Sequence, residues 1–306
     1  MTRRTTLVVG GSGLIGSQVV AELVARGRDV VVAGRHGARP DDPASIAGLP
    51  RLVGDYADGG LSTAELRSVD EVVMAAGQDI RHVEASDEDG AFWDRVQRRG
   101  VPALAERARD AGVARFVQIG SYYHQYDPSF ADRIAYVAAR RDADERTRAL
   151  TSESFAAITL NPPSIVGAAT ERARRRFARM AESLRGEGER PAAWAPPGGT
   201  GYMSVRSLAQ AVAGALDRGE PGRAYLVGDE SLSYREYFQL IVDVSGGSNR
   251  IGVQDAEHPL QPDRFIVQGR GATIAYEPGP DVVDVLRFDR RDVRRALAEI
   301  LGDAPR

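Results

Sequence analysis

Gly10, Gly11, Gly13 and Gly16 sit between an apolar run, Thr6-Leu7-Val8-Val9, and an amphipathic stretch that continues to Gly27. Gly11, Gly13 and Gly16 form GxGxxG, and Gly10, Gly13 and Gly16 form GxxGxxG. Glycines at these spacings let a chain turn sharply off a strand, bring bare backbone to a pyrophosphate, and pack the next helix close to the sheet. A helix opening at Leu14 and Ile15 then aims unpaired N–H groups at the phosphates. A glycine-rich turn without a ligand is the alternative, but a strand and a helix on either side supply the context that the motif requires. The chemistry expected here is dinucleotide binding.

The second strand bears on which dinucleotide. Asp29-Val30-Val31-Val32-Ala33-Gly34 ends in Arg35 and His36, where an NAD site wants a carboxylate for the adenosine ribose. Asp29 lies at the wrong end of the strand. A guanidinium at Arg35 suits a 2′-phosphate through charge and bidentate hydrogen bonds. The expected cofactor is therefore NADP(H), with a solvated arginine as the alternative.

Around these residues, strands and helices alternate. Strands are expected at Arg51–Asp55, Glu71–Gly77, Arg115–Ser121, Phe155–Leu160 and Arg223–Val227, and a short β segment near Phe265–Val267. Helices are expected at Leu61–Ser68, Val101–Ala111, Ala131–Leu150, Arg172–Leu184, Val205–Arg218, Tyr234–Val244 and Arg290–Leu301, with a Gly/Pro-rich loop over 187–201. This order predicts an α/β fold, a doubly wound parallel sheet of about seven strands with a smaller C-terminal substrate lobe. The dinucleotide-binding domain is expected over 1–165 with 200–230 returning to it, and the lobe over 166–199 and 231–306.

Composition narrows the class. At 306 residues, 42% of them hydrophobic, the chain can build one large domain or two closely joined ones. A net charge of −3 argues against a nucleic-acid surface. The chain has no cysteine, which fits a reducing cytosol and excludes thiolate chemistry. No apolar run reaches membrane-spanning length, and the first strand starts too early for a signal peptide, so a cytoplasmic protein is expected. No His/Asp/Glu spacing looks like a metal site. All 40 basic residues are arginine.

The chain resembles an extended or atypical member of the short-chain dehydrogenase/reductase superfamily, in the branch of NAD(P)-dependent epimerase/dehydratases. The resemblance rests on Gly10, Gly13 and Gly16, on Asp55 with Tyr56 in Val53-Gly54-Asp55-Tyr56, and on the small-residue turn Ala75-Ala76-Gly77. It continues through Asn161-Pro162-Pro163-Ser164-Ile165-Val166-Gly167, similar to the family's segment beside the nicotinamide, and through Tyr202–Ala209 and Tyr225–Gly228. What the resemblance implies is a Ser/Thr after the fifth strand and a Tyr-x-x-x-Lys on the next helix. In that arrangement the tyrosine exchanges the carbonyl-oxygen proton while the nicotinamide moves a hydride. Here Ser121 takes the first place, and Tyr136-Val137-Ala138-Ala139-Arg140 stands where Tyr-x-x-x-Lys is expected. Tyr136 and Arg140, four apart, share a helix face. Arginine keeps the charge and the donors but cannot pass a proton.

Tyr122-Tyr123-His124-Gln125-Tyr126 is unusually aromatic, and reads as a stacking floor, as a source of alternative proton donors (Tyr123 or Tyr126), or as loop packing. His124 alone is expected to be solvated. Ligands in open α/β sheets bind beyond the carboxyl ends of the strands, so Gln78, Tyr122, Tyr123, Pro163, Trp194 and Phe265 are the expected substrate contacts. The arginine run Arg172–Arg179 reads as a solvated helix rather than a diphosphate clamp, and the Ser121–Tyr136 interval is short for the sugar-nucleotide branch. The sequence therefore leads to an NADPH-dependent ketone or enone reductase acting on a small or aromatic metabolite. A nucleotide-sugar epimerase or dehydratase and a non-catalytic NADP-binding regulator are the alternatives. A small molecule is the expected partner, a homodimer is allowed, and no nucleic acid or membrane is expected.

Overall fold

The structure, a computed structural model, describes residues 4–77, 79, 80 and 90–302. The chain divides into two compact units, the first formed by Met1–Pro162, Leu208–Val227 and Gly279–Phe288, the second by Pro163–Ser207, Gly228–Pro278 and Asp289–Arg306. Residues 279–288, expected in the lobe, thus cluster with the first unit, and 200–207 with the second.

Chain order in the first unit begins β1 (Thr5–Val9), α1 (Leu14–Ala25), β2 (Asp29–Gly34), β3 (Arg51–Val53), α2 (Thr63–Leu66) and β4 (Glu71–Met74). A helix then runs from α3 (Ala91–Trp93) through a π-helical segment, Asp94–Arg99, into α4 (Gly100–Asp110). β5 (Arg115–Ile119), α5 (Tyr123–Tyr126), α6 (Ser129–Arg133), α7 (Ala135–Arg148) and β6 (Ala156–Asn161) follow. The strands, with β10 (Ala224–Leu226), make a seven-stranded sheet in the order β10-β6-β5-β4-β1-β2-β3, and every pair is parallel. Buried on both faces, these strands read as short apolar runs such as Leu7-Val8-Val9 and Val72-Val73-Met74 rather than alternating patterns. One core joins Leu7, Val9, Val72 and Phe116 to Leu104, Ala105, Ala108 and Ala143 of α4 and α7.

The second unit contains β7 (Ser164–Val166), α8 (Glu171–Leu184), β8 (Trp194–Ala195), β9 (Gly199–Ser204), β11 (Glu230–Ser233), α10 (Tyr234–Val244) and β12 (Gly252–Val253). α9 (Val205–Arg218) and α11 (Pro280–Leu286) precede α12 (Val293–Gly302), which closes the described chain. β9 pairs with β7 in parallel and with β11 antiparallel. The core of the second unit is Leu184, Tyr237, Phe238, Ile241, Leu297 and Ile300, with Tyr202 stacked on Tyr237 at 4.1 Å. Ser233 and Glu236 cap α10 reciprocally, which explains why that helix starts where its sequence signature lies.

Three expectations need correction. Phe265–Val267 is not β structure: a 3₁₀ turn covers Asp263–Phe265, entered from Pro262, and Ile266 and Val267 are simply buried. The expected loop over 187–201 contains β8 and the start of β9. The stretch after Ser121 is helical, α5 and α6, and α7 begins only at Ala135. Among the described residues no helix is long and apolar enough to cross a membrane.

Candidate active site

The glycine turn has the geometry that its spacing requires. Gly10 is left-handed (φ 82°), and a Cβ there would lie 2.7 Å from the Ala76 backbone. A Cβ on Gly16 would collide with the Gly10 carbonyl, so the first turn of α1 rests directly on the loop. Gly13 donates its N–H to the Gly10 carbonyl at 2.9 Å and caps α1 without a side chain. Ser17 N–H makes the first return bond to the Gly13 carbonyl, so Leu14 and Ile15 N–H have no intrahelical acceptor. The first turn of α1 holds no acidic residue that would compete for them. A backbone cradle that a Cβ would fill, fronted by helix N–H donors, fits a dinucleotide pyrophosphate.

Arg35 and His36 follow β2 directly and are exposed. Among the described residues Arg35 makes no ion pair, whereas Asp42, the nearby carboxylate, already accepts the Arg39 N–H and pairs with Arg51 at 2.7 Å. Asp55 caps the turn after β3 by accepting the Ala57 N–H at 2.9 Å. Tyr56 is buried and donates its hydroxyl to the Val96 carbonyl at 3.0 Å, a bond that anchors the π-helical segment. Burial raises its phenol to about 12, against the opposing field of Arg140.

Tyr136 and Arg140 are buried together on α7, 5% and 7% exposed. The Arg140 guanidinium lies 5.6 Å from the Tyr136 ring centre. Its Nη1 donates to the Ile119 carbonyl at 3.3 Å and reaches Gln97 Oε1 at 3.5 Å. A Cβ on Gly77 would stand 3.0 Å from its Nη2. Arg140 therefore reaches from α7 to the carboxyl ends of both β4 and β5. Trp93 leans on Tyr136 at 4.9 Å, and Tyr123 meets it edge-on at 6.5 Å. Tyr123 also lies 4.1 Å from Tyr122, and burial together with that neighbouring phenol holds its own phenol well above the usual range. Tyr126 is exposed.

His124, expected in solvent, is instead buried, with Nε2 2.9 Å from Asp144 Oδ2. Asp144 continues the α7 face of Tyr136 and Arg140, another four residues on. Burial raises its carboxyl, but bonds from His124 and Arg148 outweigh that and hold it below the ordinary value. Asn161 joins the group: its Oδ1 accepts the Ser121 N–H at 3.0 Å, and its Nδ2 donates to Gln125 at 2.9 Å and to Asp144 at 3.3 Å. The 136, 140, 144 spacing was the signal that could have pointed to Asp144. His124 could not be placed without the fold, because its acceptor lies 20 residues away.

The structure thus brings Ser121, Tyr122, Tyr123, Tyr136, Arg140, Asn161, Ala75, Ala76 and Gly77 into the first unit, with Pro162 accepting the Tyr122 N–H at 3.3 Å. Pro163, Trp194 and Phe265 belong to the second, where Trp194 packs edge-on against His258 at 4.5 Å and Phe265 carries Arg264 over its ring. Gln78 lies outside the described residues.

The model of the NAD dependent epimerase/dehydratase family matches residues 6–228. The chain belongs to this family. It is an enzyme family of the extended short-chain dehydrogenase/reductase type. A dTDP-glucose 4,6-dehydratase of Streptomyces griseus is 34% identical over 125 residues, 38% of this chain and 37% of that protein. Sterol demethylase protein B of Methylococcus capsulatus is 27% identical over 256 residues, 79% of this chain and 75% of that protein. The chain therefore spans little more than a third of the first relative and three-quarters of the second. The UDP-glucose 4-epimerase of Bifidobacterium longum, solved with NAD+ and UDP, superposes with a TM-score of 0.72 at 16% identity, over 97% of each chain. That likeness is one of fold, and it agrees with the seven-stranded parallel sheet.

Proposed function

We propose that the chain is a dinucleotide-dependent enzyme that acts at a carbinol or carbonyl carbon of a nucleotide-linked sugar, as an epimerase or dehydratase. The observation that carries this reading is the buried Tyr136–Arg140 pair, placed by α7 at the carboxyl ends of β4 and β5. Family membership and the relative named for a dTDP-glucose dehydratase favour the sugar class over a free ketone. The turn from Gly10 to Gly16 and the N–H groups of Leu14 and Ile15 would hold the pyrophosphate. Asp55, Ala75, Ala76, Gly77, Asn161 and Pro162 would line the remainder. A bound nicotinamide supplies the hydride acceptor and donor.

Tyr136 is the acid/base: as the phenolate its oxygen takes the substrate hydroxyl proton while the hydride leaves the carbon, and as the phenol it returns that proton on reduction. Arg140 sets a positive charge 5.6 Å from the Tyr136 ring centre. Ser121 orients the substrate oxygen. The Arg35 guanidinium after β2, which makes no ion pair among the described residues, favours a 2′-phosphate, so the preferred dinucleotide is NADP(H).

Arg35 also favours a second reading, an NADPH-dependent carbonyl reductase, since such enzymes release and reload their dinucleotide. One experiment separates the two. The purified protein is denatured, the released dinucleotide is identified by mass spectrometry, and turnover is followed by proton NMR and by absorbance at the dihydronicotinamide band. Conversion of a nucleotide sugar without net change of absorbance supports the proposal. Steady loss of absorbance with ketones, and none of the sugar conversion, replaces it with the reductase.

A further inference from the structure

The reaction assigned above needs Ser121 and Tyr136 at a fixed mutual position, yet they sit on different elements: Ser121 just beyond β5, Tyr136 on α7. The β5–β6 pairing ends at Ile119, two residues before Ser121. Backbone bonds flank it, from Gly120 N–H to the Leu160 carbonyl and from Tyr122 N–H to the Pro162 carbonyl, and its own N–H is held by the Asn161 side chain, whose Oδ1 accepts it. Gly120 makes this approach feasible, because a Cβ there would collide with Asn161 Oδ1. An asparagine amide can turn over and present nitrogen in place of oxygen. In this site Asp144 fixes its sense, since Oδ2 faces Asn161 Nδ2 at 3.3 Å and requires a donor there. The same Oδ2 accepts from His124, three residues beyond Ser121, so both ends of the segment 121–124 are tied to one carboxylate oxygen on α7. The other oxygen, Oδ1, takes Arg148 Nε at 2.5 Å, and Arg148 also bonds the Gly222 carbonyl. One face of the carboxylate thus addresses the site and the other addresses the scaffold.

We propose that Asp144 is a positioning residue for the reaction: through Asn161 and His124 it locks the Ser121 peptide to the helix face that carries Tyr136 and Arg140. Asp144, Asn161 and Thr147 are fully or nearly fully buried, so water cannot substitute for the lost acceptor. The inference rests on the reading of Ser121 and Tyr136 as the reacting pair, but its structural half can be measured without any turnover.

The test compares Asp144→Ala, Asp144→Asn and Arg148→Ala with wild type. Hydrogen exchange of the Ser121 amide is read at residue resolution, and kcat, KM and dinucleotide Kd are read in parallel. Asp144→Ala is expected to speed Ser121 exchange at least tenfold and to lower kcat by about ten- to hundredfold, with KM and Kd within threefold. Asp144→Asn, which keeps the volume and one oxygen, should move both in the same direction by less, and it carries the test if the alanine variant does not fold. Arg148→Ala should lower thermal stability and, because it removes one of the bonds that hold the buried Asp144 carboxylate, should change Ser121 exchange and kcat in the same direction as Asp144→Ala but by clearly less. Wild-type Ser121 protection in a folded Asp144 variant overturns the inference, as does an Arg148→Ala rate loss equal to that of Asp144→Ala. Loosened Ser121 with an unchanged kcat also overturns it. A protein that turns over no sugar or carbonyl substrate defeats the functional reading instead, and the exchange comparison then still decides whether Asp144 fixes Ser121.

Discussion

Gly10→Ala tests the cofactor cradle through two separate costs. The residue is left-handed, and an alanine in that conformation costs about 1–2 kcal/mol. Its Cβ would also lie 2.7 Å from Ala76 Cα and N, which are backbone atoms and cannot rotate away. Crowding of that kind costs about 1–3 kcal/mol. The sum, about 2–5 kcal/mol, corresponds to a fall of roughly 4–20 °C in Tm for a unit of this size. Gly13→Ala is the control. Its φ is −79° and the nearest atom to a new Cβ is the Gly10 carbonyl at 3.2 Å, so the loss is the N-cap preference, about 0.5–1 kcal/mol, plus a shift of a few tenths of an ångström at that carbonyl. Gly13 is exposed at the mouth of the cradle, so a methyl there should still weaken dinucleotide binding at least tenfold. Thermal melts and fluorescence titration with NADPH separate the two effects. A Gly10→Ala protein within 1 kcal/mol of wild type, or a Gly13→Ala protein that binds NADPH normally, would refute the reasoning.

Tyr136→Phe should lower kcat by a factor of about 10²–10⁴ while NADPH titration stays near wild type, and near-normal turnover would move the proton to another group. Arg140→Lys should keep much of the activity, and Arg140→Ala should lose both rate and dinucleotide affinity in the same assays. Arg35→Ala should weaken NADPH binding by about 1.5–3 kcal/mol and leave NADH unchanged; equal wild-type affinities for the two would remove the 2′-phosphate assignment. The Tyr56 phenol, raised to about 12, stays neutral in the folded state after the unfolded one ionises, so stability should fall as pH rises from about 10 to 12. That window is worth about 2–3 kcal/mol, and denaturant melts of Tyr56→Phe should show a flatter decline across it.

Local signals gave the seven strands of the parallel sheet and most helices. Val205–Arg218 and Tyr234–Val244 appear at their expected bounds, because each has an apolar face of helical period and a clear start. The glycine turn was legible for the same reason, since its purpose is local backbone geometry. What escaped depends on partners far apart in sequence. β7, β9 and β11 exist only as a paired set, and the start of β9, residues 199–201, reads as the end of a loop until β11 lies beside it. Burial of His124 depends on an acceptor 20 residues on, and the fixing of Ser121 depends on Asn161, 40 residues on. The aromatic stretch after Ser121 became two short helices because Tyr122, Tyr123 and Phe130 find buried ring contacts that a loop would not supply.

A structure of the protein with NADPH bound is the most direct test of the central claim, that Tyr136 and Arg140 serve a nicotinamide held by the Gly10–Gly16 turn. The account predicts pyrophosphate oxygens on the Leu14 and Ile15 N–H groups, the 2′-phosphate at Arg35, and Tyr136 and Arg140 within hydrogen-bonding distance of the nicotinamide ribose. A dinucleotide seated on the glycine turn with its nicotinamide remote from both side chains would contradict it.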